Sequence, residues 1–126
     1  MNFTLELLPD TFAICRLDGN AAIPDWAKDD FVSITRTHEE LSIVCRQELV
    51  PDDVQAEREW RCLRIVGKLD FSLVGVIAAI TKVLADASNS VFVMSTYDTD
   101  YFLVRAVDVD RTVETLVEAG HFVQNH

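Results

Sequence analysis

Polar and apolar positions alternate from the first residues: Phe3, Leu5 and Leu7 are interleaved with Thr4 and Glu6, the period of a half-buried strand. Pro9-Asp10 ends that run. A second apolar stretch, residues 12–17, stops at the turn residues Asp18-Gly19-Asn20. Ile23-Pro24-Asp25-Trp26-Ala27 has room for a turn or so of helix. Residues 31–35 and 41–45 are β-rich runs joined across Thr37-His38-Glu39-Glu40, which predicts a hairpin. Pro51-Asp52-Asp53-Val54 has Pro early and acids beside it, as a short helix start does.

From Trp60 the predicted elements lengthen. Residues 60–66 read as a strand, although Arg61 and Arg64 blur the alternation. Asp70 or Ser72 can cap a helix starting near Phe71, whose apolar stripe is Leu73, Val76, Ile77, Ile80, Val83 and Leu84. So wide a stripe points to burial against a sheet, and residues 86–89 break it. Residues 91–94 and 101–104 are strands around an acidic tip. Asp108 caps a last helix built on Val109, Val113, Leu116 and Val117, Gly120 stops it, and residues 121–124 can close as a strand.

Residues 60–126 therefore spell strand, helix, strand, strand, helix, strand, an α+β arrangement in the ferredoxin-like βαββαβ order. The first half follows the same order with its helices shrunk. Phe31-Val32 with Thr35 also echoes Phe92-Val93 with Thr96. The pattern predicts two abutting units with antiparallel sheets, a shortened one over residues 1–58 and a full one over residues 59–126.

Composition then removes several functions. The 126 residues, 49% of them hydrophobic, suffice for a globular interior. Asp and Glu number 21 against 11 Lys and Arg, a formal charge of -10, and the bases are scattered. Nucleic-acid and anionic-membrane partners are disfavoured, because phosphate contacts need clustered Lys and Arg. Cys15, Cys45 and Cys62 are far apart in strand-like runs and read as buried reduced thiols. With no Cys-x-x-Cys pair and no His-x-x-x-His spacing, a structural zinc site is not expected, and the Asp-x-Asp-x-Asp-Gly calcium loop is not matched either. No basic N-terminal region leads into an apolar segment, and no apolar run reaches the roughly 20 residues of a membrane helix. The expectation is a soluble cytoplasmic protein without cofactor or metal.

Two stretches concentrate polar chemistry. At the helix start after Leu69-Asp70, the first backbone N–H groups have no internal partner and carry roughly half a positive charge together, which suits a carboxylate. Gly75 leaves room there for a close approach. The plainer alternative is a capped helix with Gly75 packed on a strand. The second stretch, Ser95-Thr96-Tyr97-Asp98-Thr99-Asp100, could hold an ammonium group or a cation, or could simply be a solvated hairpin tip. Asp98 and Asp100 as an acid/base pair lack a companion nucleophile, so catalysis is not expected. His38 falls in the first hairpin turn, His121 at a helix end where the C-terminal dipole can hold it, and His126 is last. The four glycines are scattered singly, so no phosphate loop is formed.

Phe12-Ala13-Ile14-Cys15-Arg16-Leu17, Ser33-Ile34-Thr35-Arg36-Thr37, Glu40-Leu41-Ser42-Ile43-Val44-Cys45, Trp60-Arg61-Cys62-Leu63 and Ser95-Thr96-Tyr97-Asp98-Thr99-Asp100-Tyr101 together resemble a family of small bacterial ACT-domain proteins. The most specific piece is the Ser-Thr-Tyr-Asp-Thr-Asp-Tyr run with Leu103-Val104 after it. That run is also similar to the hairpin of the eukaryotic cytosolic arginine sensors and, more distantly, to aspartate kinase regulatory domains. The resemblance implies paired ferredoxin-like (ACT) units that bind a free amino acid near the loop between first strand and first helix. On this chain that loop is Leu69, Asp70, Phe71, Ser72, Leu73, Val74 and Gly75, and the opposing wall is Ser95 to Asp100. It implies a non-catalytic regulatory module and a signal passed to a protein partner or to self-association; ferredoxin-like sheets also leave edge strands that need covering, which predicts a homodimer or an internally closed pair of sheets. The competing reading is a dimerisation or interaction domain whose ligand site has degenerated. At the helix start Phe71-Ser72-Leu73 stands where most regulatory ACT domains carry a Pro-Gly pair.

Overall fold

The two apolar runs at the start of the chain form one strand rather than two. In the computed structural model, which describes residues 2–70 and 74–125, β1 runs from Thr4–Asp18 straight through Pro9. Its partners explain how. Thr4 to Leu7 pairs with β7 (Phe122–Asn125) and Phe12 to Asp18 pairs with β3 (Glu40–Arg46). Pro9 lies between those two registers, where neither requires the N–H that proline lacks.

Packing divides the chain into two compact units, Asp10–Trp60 and Met1–Pro9 with Arg61–His126. The first nine residues, expected with the N-terminal half, therefore belong with the C-terminal one.

In the Asp10–Trp60 unit the expected hairpin is present: β2 (Val32–Arg36) pairs antiparallel with β3, Ile34 opposite Ile43. β3 in turn pairs antiparallel with β1, placing Ala13 opposite Cys45 and Leu17 opposite Leu41. Ala13, Cys15, Ala27, Leu41, Ile43, Cys45 and Val50 form its core. The segment around Trp26 closes as a turn, with Ala27 N–H bonded to the Pro24 carbonyl, because five residues cannot repay helix nucleation. Residues 51–54 are likewise a turn, and a 3-10 turn sits just upstream at Gln47–Leu49. Cys15, Cys45 and Cys62 are buried free thiols, and burial pushes the Cys62 thiol up to about 12.

The other unit carries the βαββαβ order: β4 (Ala56–Ile65), α1 (Val76–Asp86), β5 (Val91–Ser95), β6 (Asp100–Arg105), α2 (Val109–Glu118) and β7. β4 shows little alternation because Cys62, Leu63 and Ile65 bury both of its faces. β5 and β6 form a hairpin with Val93 opposite Phe102, and the strand order within the unit is β7-β1-β4-β6-β5. The N-terminal segment of β1 thus becomes a strand of this unit. Leu5, Leu63, Ile65, Phe102 and Val104 pack against Val76, Ile80 and Leu84 of α1 and Val109 and Leu116 of α2. The i, i+4, i+8 spacing of the α1 residues aims one narrow stripe at the sheet. Ile77, which the apolar pattern included in that stripe, is 39% exposed.

Three local expectations are corrected. The N-cap position of α1 is not Asp70 but Gly75, in the left-handed region at φ 81°; Ser72, the other expected cap, lies outside the described residues. Asp108 occupies the N-cap position of α2, but its carboxylate pairs with Arg111 at 3.2 Å and makes no capping bond. His121 does not serve the α2 dipole. Its Nδ1 accepts the Phe3 N–H at 3.0 Å, its ring stacks on Phe3, and burial pushes its pKa down.

A buried His held neutral binds fewer protons folded than unfolded. The stability it contributes is complete above the unfolded pKa near 6.5 and is lost as pH falls through the lower folded value. Urea midpoints should therefore drop between pH 7.5 and 5. His121→Asn, which keeps an acceptor but cannot titrate, should show a smaller drop.

Candidate functional site

Gly75 decides where the first helix begins. Its φ of 81° lies in a region L side chains rarely adopt, so the chain turns there and enters α1 at Val76. The Ala79 N–H makes the first helical bond, to the Gly75 carbonyl at 2.8 Å. An N-cap without a side chain leaves the first-turn N–H groups with no oxygen from their own cap.

Facing that turn is the β5–β6 hairpin tip, held in a defined shape. The Thr96 N–H and hydroxyl both bond to the Thr99 carbonyl, at 2.9 and 3.1 Å. The buried Thr99 hydroxyl donates to the Ile65 carbonyl at 2.8 Å, fastening the tip to the end of β4. The Leu69 N–H donates to the Asp98 carbonyl at 2.7 Å, tying the loop after β4 to the same tip. One backbone bond therefore ties the loop to the hairpin tip, and the Thr99 hydroxyl ties the tip to β4.

Between them lies a cavity of about 360 Å³. Leu69, Asp70, Gly75 and the first-turn residues Val76, Ile77 and Ala78 form one wall. The other is the whole tip, Ser95 through Asp100. Asp100 is only 8% exposed, and its Oδ1 accepts the Ser95 hydroxyl at 2.6 Å. Tyr97, at the mouth, is 82% exposed. The first turn of α1, whose cap supplies no side-chain oxygen, stands beside Asp70 at one wall, and Asp98 and Asp100 stand at the other. That polarity suits a small zwitterion.

Nine of the thirteen candidate residues thus line one cavity. Val74 is 80% exposed and outside it, and Phe71, Ser72 and Leu73 lie outside the described residues. The residues that pattern reading missed are Val76, Ile77 and Ala78. Their signal was Gly75 itself, which as a cap rather than a spacer moves the first turn onto them. Among the described residues no group of three metal-ligating side chains occurs, and no helix is long and apolar enough to cross a membrane.

Comparison with known proteins adds the family. The ACT-domain family model matches residues 55–118, just over half of the chain. The chain belongs to the ACT-domain family. A second family model, described as an N-terminal domain, matches residues 10–53. An Agrobacterium tumefaciens protein of known structure is 37% identical, with a TM-score of 0.94 over 100% of this chain and 95% of that one. A Vibrio cholerae protein of unknown function is 20% identical, with a TM-score of 0.78 over 93% of this chain and 89% of that one. The ligand-free regulatory subunit of aspartate kinase from Thermus thermophilus shares the fold at 12% identity, with a TM-score of 0.63 over 92% of this chain and 96% of that one. No curated protein sequence matches the chain.

Proposed function

We propose that this ACT-domain protein is a non-catalytic regulatory module that binds a free amino acid in the cavity between α1 and the β5–β6 tip. The observation carrying this reading is the glycine-capped first turn of α1 opening on that cavity, opposite Asp98 and Asp100. The ligand carboxylate would take the place of the missing cap at Val76 to Ala78, and its ammonium would face the tip carboxylates. Membership of the ACT family and the fold shared with an aspartate kinase regulatory subunit support it.

On the same reading the Asp10–Trp60 unit is a shortened copy of the ACT arrangement, its helices reduced to the turn at Pro24 and the 3-10 turn at Gln47–Leu49. The chain acts as a homodimer, since the strand order ends at β5 and a bare strand edge calls for a partner. The response passes through that assembly or through a protein partner.

A thermal-shift series with the free amino acids tests the reading. A ligand present at one hundred times its Kd stabilises the folded state by about 2.7 kcal/mol, so a sub-millimolar effector raises the melting temperature by several degrees at millimolar concentration. If no amino acid does so, the chain is an interaction domain with a degenerate site.

A further inference from the structure

Two of the three buried thiols are neighbours across a strand pair. β1 and β3 run antiparallel with Ala13 opposite Cys45 and Cys15 opposite Ile43, which makes Cys15 and Cys45 diagonal neighbours on one face. Both belong to the core that includes Ala13, Leu41 and Ile43, and they are 2% and 0% exposed. Their thiols are hydrogen-bond partners. The bond from Cys45 holds the Cys15 thiol below its ordinary value against the effect of burial, and the Arg58 guanidinium adds to it. The Cys45 thiol, bonded to Cys15 and buried, is pushed up. Thiolate character therefore gathers on Cys15 while the proton of the pair stays on Cys45. Cys62 belongs to the other unit, where burial pushes its thiol up to about 12. Packing alone would be served by another small residue like Ala13. A hydrogen-bonded thiol pair with one low member is instead the arrangement of a dithiol that oxidises.

We propose that Cys15 and Cys45 form a reversible disulfide within the chain, with a peroxide as oxidant and a dithiol as reductant. The Cys15 thiolate attacks one peroxide oxygen and the O–O bond breaks. This leaves a sulfenic acid on Cys15 and a hydroxide, which becomes water by taking up the proton Cys15 had released. The Cys45 sulfur then attacks the sulfenic sulfur. The S–S bond forms, the S–O bond breaks, and the departing hydroxide leaves as a second water with the Cys45 proton. Two electrons pass from the thiol pair to the peroxide, and a dithiol returns them through a mixed disulfide. The bridge pins residues 12–18 of β1 to β3. Burial of both sulfurs makes local opening the slow step of the reaction.

Treatment of the full chain with hydrogen peroxide under native conditions, followed by unfolding and thiol titration, tests the pair. The count is expected to fall from three free thiols to one, and dithiothreitol should restore all three. Peptide mapping should place the bridge between Cys15 and Cys45 of the same chain. Cys62→Ala should still lose both of its thiols, and Cys45→Ala should leave Cys15 as a sulfenic acid that dimedone captures. Should Cys45→Ala fail to fold, the wild-type map and Cys62→Ala still decide. Three thiols that survive peroxide able to oxidise glutathione in the same tube overturn the proposal. So does a disulfide that contains Cys62, or a bridge that forms only in urea strong enough to unfold the chain.

Discussion

Ile80→Ala is expected to lower the unfolding free energy by about 2–5 kcal/mol, whereas Ile77→Ala, one turn earlier, should cost no more than about 1 kcal/mol. By sequence pattern the two positions are equivalent members of one apolar stripe. In the structure Ile80 is fully buried among Leu5, Leu63, Ile65, Phe102 and Val104, while Ile77 is 39% exposed at the cavity wall. Truncating Ile80 removes buried methyl groups and leaves a void that strands on the opposite side cannot collapse to fill. Truncating Ile77 removes contacts that water already shares. Urea unfolding of both variants measures the difference directly. Equal costs would mean that α1 sits on the sheet with a different face.

The second large effect is expected at Gly75. A Cβ built there meets nothing within 4 Å, so the glycine is required by its φ of 81° and not by crowding. Gly75→Val should cost about 1–3 kcal/mol in backbone strain, and should also abolish any thermal response to amino acids, because relaxing the strain re-aims the first turn of α1. Gly75→Asn, a residue that enters the left-handed region more readily, should recover most of the stability and part of the ligand response. Loss of response in both variants, with stability restored in the second, would show that side-chain bulk rather than backbone geometry controls the site.

Much of this fold is readable from the chain. The β2–β3 and β5–β6 hairpins follow from β-rich runs interrupted by turn residues, and the end of α2 follows from Gly120, which adopts φ 96° where the helix stops. What pattern reading could not supply was long-range pairing. Pro9-Asp10 reads as a strand end by local rules, and only the exchange of partners from β7 to β3 lets β1 continue through it. His121 next to a helix C-terminus reads as a dipole partner, until Phe3, 118 residues away in sequence, presents the N–H that fixes it as a neutral acceptor. The two polar stretches were legible as composition, but their juxtaposition depends on the Leu69–Asp98 backbone bond and the Thr99–Ile65 bond, which no local pattern encodes.

The central claim is that one cavity, walled by the first turn of α1 and the β5–β6 tip, receives an amino acid. Backbone amide chemical shifts recorded during titration with the best-binding amino acid of the thermal series test it most directly. The amides of Val76, Ile77 and Ala78 should move furthest and saturate together with those of Ser95 to Asp100, while the amides of β2 and β3 stay in place. Saturating shifts that leave Val76 to Ala78 unmoved, or that centre on β2 and β3, would contradict it.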